Sequence, residues 1–177
     1  DFDNPGMIFV DRGMESFAAV DGTEGKACVS CHEGPEALAK VRGTTPKISP
    51  DGSDLWSLEN FVNDCRTTRM GAEEWKWNSD DMKNMTALLS HAGRGLPMSV
   101  AIDGAAEPYW EQGKEMYYTR FGQLELSCAN CHEDNAGNMI RADHLSQGQV
   151  NAFPAYRLKD TALVSTHQRF VGCVRDT

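Results

Sequence analysis

Cys28-Val29-Ser30-Cys31-His32 and Cys128-Ala129-Asn130-Cys131-His132 decide how this chain is read. Both have the form C-x-x-C-H, the attachment signal of c-type haem, and they stand 100 residues apart. In such a motif the two cysteine sulfurs bond to the haem vinyl groups as thioethers, and the adjacent histidine is held beneath the iron. Cys28, Cys31, Cys128 and Cys131 are therefore the expected attachment points, and His32 and His132 the expected proximal ligands. A pair of zinc or disulfide sites would require further cysteines or histidines within a few residues, and neither motif has them.

The repeat extends towards the N-terminus of each motif. Phe9, Gly13 and Phe17 recur as Tyr109, Gly113 and Tyr117. The i, i+4, i+8 spacing puts each trio on one face of a helix, where the glycine lets another backbone approach closely. Pro108 suits the first turn of the second helix. A Gly/aromatic helix followed by C-x-x-C-H resembles the opening of a class I cytochrome c domain, a family in which this helix crosses the domain's last helix. A partner is at hand in the first half: Ser79 as N-cap, Asp80 and Asp81 in the first turn, then Met82, Met85, Leu88 and Leu89 along one face, ending near Gly93 or Gly95. The expected fold is all-α: two class I cytochrome c-like domains in tandem, each with one covalent haem c. Gly95–Ala106 reads as the linker, giving domains over 1–97 and 98–177. The Thr-, Pro-, Ser- and Gly-rich stretch 43–54 reads as a loop wrapped around a haem, and no sheet-forming pattern is visible. Cys65 is followed by 30 residues up to Gly95, whereas only four follow Cys173. The second domain is thus expected to lack its closing helix, as if the chain stopped short of a natural C-terminus.

Composition sets the outer limits. The 177 residues are 40% hydrophobic and 24% charged, with 17 Lys and Arg against 26 Asp and Glu, a net charge of −9. That balance argues against a general nucleic-acid binder, which needs a basic face for phosphates. No apolar run approaches the ~18 residues of a membrane span. The chain begins at Asp1, so the absence of a signal peptide does not report its compartment. Attachment of haem through C-x-x-C-H takes place outside the bacterial cytoplasm, which makes the periplasm the expected location.

Each iron needs a sixth ligand if the site is closed to oxygen or peroxide. Met70, Met82, Met85, Met98 and His91 are available to the first haem, and Met139, His144 and His167 to the second. The two cysteines outside the motifs are further candidates: Cys65 lies 33 residues after His32, and Cys173 lies 41 after His132. Leu58, Phe61, Val62 and Cys65 share a helical face, so Cys65 is expected to point inward. Arg169, Phe170 and Cys173 can line one side of a helical turn. Three fates compete for the pair: thiolate ligation of iron, a Cys65–Cys173 disulfide, and inert buried thiols.

The run His167-Gln168-Arg169-Phe170-Val171-Gly172-Cys173-Val174-Arg175-Asp176-Thr177 resembles the signature of the SoxA family, dihaem c-type cytochrome subunits of the bacterial thiosulfate-oxidising Sox system. Asn60-Phe61-Val62-Asn63-Asp64-Cys65-Arg66-Thr67-Thr68-Arg69-Met70 and His91-Ala92-Gly93-Arg94-Gly95-Leu96-Pro97-Met98 resemble it too, so the likeness spans nearly the whole chain. The resemblance implies His/Cys ligation of both irons, by His32 with Cys65 and by His132 with Cys173. It implies an L-cysteine S-thiosulfotransferase that works with a monohaem cytochrome, SoxX, and joins thiosulfate oxidatively to a cysteine of the carrier protein SoxYZ. Cys173, as thiolate or persulfide, takes the catalytic role in that family, and Arg169 the role of holding the anionic substrate.

The chemistry suits those residue types. A guanidinium presents a planar fork of donors to sulfonate-like oxygens. Arg175 is a second candidate cation, with a solvated surface arginine as the plain alternative. The thiolate is the reactive form of cysteine, and sulfur passes between cysteines by exchange through a disulfide-like intermediate. Two other functions fit a dihaem chain. One is an electron carrier with both irons closed and no substrate; the other is a thiosulfate dehydrogenase that couples two thiosulfates into tetrathionate. A dihaem peroxidase would need an open iron.

Overall fold

A computed structural model describes residues 3–175, so Asp176 and Thr177, the end of the quoted signature run, lie outside the described residues. In chain order the elements are helices α1 (Met7–Ala18), α2 (Val41–Thr44), α3 (Leu58–Cys65), α4 (Asp80–Ala92), α5 (Glu107–Tyr118), α6 (Cys128–His132) and α7 (Thr166–Arg175). Between them run the short strands β1 (Lys47–Ile48), β2 (Leu55–Trp56), β3 (Met139–Ile140), β4 (Asp143–His144), β5 (Ala155–Arg157) and β6 (Ala162–Val164). Single turns of 3₁₀ helix at Cys28–Ser30, Pro35–Leu38 and Gly104–Ala106, and a π turn at Arg66–Met70, complete the set.

The described residues separate into two compact units, 3–101 with 153–165, and 102–152 with 166–175. Where the sequence suggests a second domain running unbroken from 98, the structure returns 153–165 to the first unit. The physical ties are local. Arg42 Nε donates to the Phe153 carbonyl at 3.3 Å, the Phe9 and Tyr156 rings lie 6.0 Å apart, and Ser165 Oγ donates to Asn78 Oδ1 at 2.7 Å.

In the first unit α1 packs along α4. The crossing is close at Gly13: a Cβ there would collide with the Asn84 carbonyl oxygen and lie 2.9 Å from Leu88 Cβ. Ser79 Oγ caps α4 by accepting from Met82 N at 3.3 Å, with Asp80 and Asp81 in the first turn favoured by the helix dipole. Phe17, Leu58, Met85, Leu88 and Leu89 form the core, and Val10, Cys28, Leu38, Val41, Val62 and Trp75 pack on it. Cys28 therefore fixes the first motif directly to the core. In the second unit α5 repeats the form of α1 and packs on α6, but nothing among the described residues lies within 4 Å of a Cβ built on Gly113.

The all-α expectation is corrected. Three antiparallel two-stranded ladders are present: β1–β2, β3–β4 and β5–β6. Strands of two or three residues are too short for an alternating pattern to show in the sequence. Stretch 43–54, expected as a loop wrapped around a haem, holds part of α2, all of β1 and a tight turn. In that turn Gly52 takes φ 77°, and Asp51 Oδ1 accepts from Ser49 Oγ at 2.6 Å and from Ser53 N at 3.1 Å.

Candidate functional site: two cysteine-histidine motifs with one extra cysteine each

Both motifs open in the same way. A four-residue turn precedes each, closed by the bridges Asp21–Lys26 and Phe121–Leu126. The turns carry positive φ at matching places, Gly22 (76°) with Gly122 (74°), and Gly25 (61°) with Glu125 (50°). The third residue of each motif then reaches back to cap it. Ser30 Oγ accepts from Ala27 N at 3.0 Å, and Asn130 Oδ1 accepts from Ser127 N at 3.0 Å. Ser127 Oγ completes a capping box by accepting from Asn130 N at 3.3 Å. The second x of C-x-x-C-H is thus structural in both motifs, a role the spacing of the cysteines does not reveal. The S-x-x-N spacing of Ser127 and Asn130 carried the signal.

In the first unit the His32 ring lies 6.5 Å from the buried Phe17 ring, centroid to centroid. Burial pushes the Cys28 thiol above its ordinary pKa, the charge of Cys65 adds to this, and Arg66 opposes it. The Cys65 thiol is raised by burial first, then by Asp64 and Cys31, with Arg69 opposing. Cys65 thus lies within electrostatic reach of both cysteines of its own motif. Cys65 sits at the end of α3 on the same helical face as the buried Leu58, with Asn63 the other fully buried residue of that helix. Asn63 is buried because its side chain pins the 72–75 strap, donating to the Trp75 carbonyl at 2.9 Å and accepting from Trp75 N at 3.0 Å.

In the second unit His132 is held from two sides. Its Nδ1 meets the Ser146 carbonyl at 2.8 Å. A carbonyl only accepts, so Nδ1 carries the proton and Nε2 is the nitrogen left to face a metal. Gly148 (φ 79°) packs its backbone on the ring, where a Cβ would lie 3.2 Å from His132 Cγ. Ser146 Oγ steadies that loop by accepting from Gly148 N at 3.2 Å. Neither residue was legible as a site residue in the sequence. Cys128 is raised by burial first and then by the charge of Cys173, which places the spare cysteine beside its own motif here too. Cys173 lies on α7, half-buried, four residues after the exposed Arg169.

The other ligand candidates are distributed differently. Met70, Met82 and Met85 are core residues. Met98 and Met139 are exposed, as are His91, His144 and His167, and Met139 pairs with His144 across β3–β4. No disulfide is formed within either unit among the described residues. Among the described residues no group of three or more His, Cys, Asp and Glu side chains forms a cage for a bare metal ion. A porphyrin needs only two axial donors from protein. In each unit the donor set (two thiols for covalent attachment, a histidine and a nearby third thiol) fits a haem of the c type.

The SoxA/TsdA cytochrome c domain family matches residues 12–98. The L-cysteine S-thiosulfotransferase subunit SoxA of Paracoccus pantotrophus is 59% identical over 177 residues, covering 100% of this chain and 61% of that protein. The subunit of the same name from Rhodovulum sulfidophilum is 50% identical over 178 residues, covering 100% of this chain and 62% of that protein. Against the crystal structure of SoxXA from P. pantotrophus the TM-score is 0.95 at 59% identity, covering 99% of this chain and 67% of that one. The chain thus spans about three fifths of the length of the curated relatives it matches. At 59% identity over 99% of this chain and 67% of the matched chain, the likeness is one of descent: the chain belongs to the SoxA family.

Proposed function

We propose that the chain carries two covalent haem c groups, attached at Cys28 and Cys31 and at Cys128 and Cys131, with His32/Cys65 and His132/Cys173 as axial ligands. We propose further that it forms the SoxA part of a periplasmic L-cysteine S-thiosulfotransferase, with a SoxX monohaem partner and SoxYZ as acceptor. The observation that carries the ligand assignment is the pairing of each spare cysteine with its own motif, Cys65 with Cys28 and Cys31, and Cys173 with Cys128. No helix among the described residues is long and apolar enough to cross a membrane.

The reaction joins thiosulfate to a carrier cysteine: the thiol and the dianion give a cysteine S-thiosulfonate, a proton and two electrons. A bound haem supplies a one-electron acceptor through which electrons leave towards the partner. The chain's own residues do the rest. Arg169, exposed on α7, offers two parallel donors to the sulfonate oxygens and offsets their charge as the outer sulfur nears Cys173. Cys173, as thiolate or persulfide, provides the sulfur that the substrate meets, and exchange hands the group to the carrier. His132 is kept in one tautomer and one orientation by Ser146 and Gly148.

Replacing Cys173 by Ala in the purified holoprotein is the test. Haem content, measured by the absorbance of the pyridine adduct, is expected to stay at two per chain, while thiosulfate- and carrier-dependent electron release is lost. Undiminished turnover in Cys173→Ala would remove that residue from the reaction. Tetrathionate formed without the carrier would reassign the chain to thiosulfate coupling.

A further inference from the structure

Arg66 follows Cys65 directly and is buried, its side chain only 6% exposed. The guanidinium is held at three points. Its Nη2 makes a 2.8 Å ion pair with Asp21 Oδ2, its Nε donates to the Glu73 carbonyl at 3.0 Å, and its Cζ lies 3.8 Å from the centre of the Trp75 ring. Its backbone carbonyl accepts from Ala72 N at 2.9 Å, closing the strap over the end of α3. The arrangement places a rigid positive charge beside the first motif, and Cys28 feels it.

The ion pair is not neutral in effect. The Asp21 side chain is 50% exposed and screened by water, whereas the guanidinium is enclosed by protein. A buried charge acts through a much lower effective dielectric than an exposed one. The pair therefore presents a net positive field towards Cys28, in the first motif. At the corresponding places of the second unit the residues differ: 100 residues on, Phe121 stands where Asp21 does, and Val174 follows Cys173 where Arg66 follows Cys65.

We infer that Arg66, fixed by Asp21 and Trp75, is a positioning residue that raises the reduction potential of the first haem. Thiolate ligation pushes electron density onto iron and disfavours the reduced state. A fixed cation beside the attachment cysteine Cys28 offsets part of that effect, so the first site takes an electron more readily than His/Cys ligation alone allows. The two sites of one repeat are thereby set apart in potential. This inference rests on the proposal of two His/Cys haems.

Potentiometric titration of the holoprotein, each haem followed by its own paramagnetic resonance signal, tests it. Arg66→Met is expected to shift the first haem's reduction equilibrium at least tenfold towards the oxidised form, about 59 mV for one electron. Asp21→Asn is expected to move it the opposite way and by less, because the lost carboxylate was half in water. Arg66→Lys retains most of the wild-type value, and the second haem stays put in all three. A merely structural role for Arg66 would move both Arg66→Met and Asp21→Asn in one direction. That result, or an unmoved first potential with two haems in place, overturns the inference alone. A single haem per chain overturns the two-haem proposal and this inference with it.

Discussion

Gly13 and Gly113 are the same residue of the repeat, yet alanine should act on them with opposite sign. At both, alanine removes the backbone freedom of a mid-helix glycine, a gain of about 1 kcal/mol. At Gly113 nothing among the described residues opposes that gain, since no atom lies within 4 Å of the new methyl. At Gly13 the methyl meets the Asn84 carbonyl and Leu88 Cβ, the first of which is α4 backbone and has no rotamer to escape into. Overpacking of this kind costs about 1–3 kcal/mol, and a backbone obstacle belongs at the upper end. Gly13→Ala should thus lose about 2 kcal/mol, and the two variants should differ by about 3 kcal/mol. For a unit of this size each kcal/mol moves the melting temperature by roughly 4–8 °C. Thermal unfolding of the 177-residue holoprotein, followed by far-ultraviolet circular dichroism, reads both. Equal shifts, or a stabilised Gly13→Ala, would refute the close α1–α4 crossing as the seat of the first unit's core.

Two further outcomes are expected. Gly148→Ala forces a side chain into a left-handed backbone, at roughly 1–2 kcal/mol, and presses on His132. It should alter the resonance signal of the second haem while leaving that of the first intact; two unchanged signals would mean that the Ser146–Gly148 loop does not position His132. The Arg66 hydrogen bond, followed by that from Gly22 N, holds the Asp21 carboxyl below its usual pKa. Its contribution to stability is therefore fully present above the unfolded carboxylate value of about 3.9, and is lost as pH falls through the lower folded value. Acid titration of unfolding should show that loss in the wild type and not in Asp21→Asn, and identical acid profiles would exclude the pair as a contributor.

Short-range chemistry made much of this protein legible from its residues. The C-x-x-C-H motifs, the Gly/aromatic helices and the Ser79-capped helix each depend on neighbours within one or two turns, so their spacing survives in the linear chain. The 100-residue repeat and the two spare cysteines were visible for the same reason. Three features were not. The hairpins are held by turns and by two or three ladder pairs, which leave no periodic trace. The burial of Asn63 in α3 went unseen, because its amide is satisfied by Trp75, twelve residues on, and no apolar pattern marks it. The collar on His132 and the buried Arg66 depend on contacts between residues 14 and 45 positions apart. Sequence alone therefore fixed which atoms are available to hold a haem. Tertiary packing decided which thiol lies beside which motif, which histidine nitrogen carries the proton, and which charge is shielded from water, since each depends on distance and burial that no local pattern encodes.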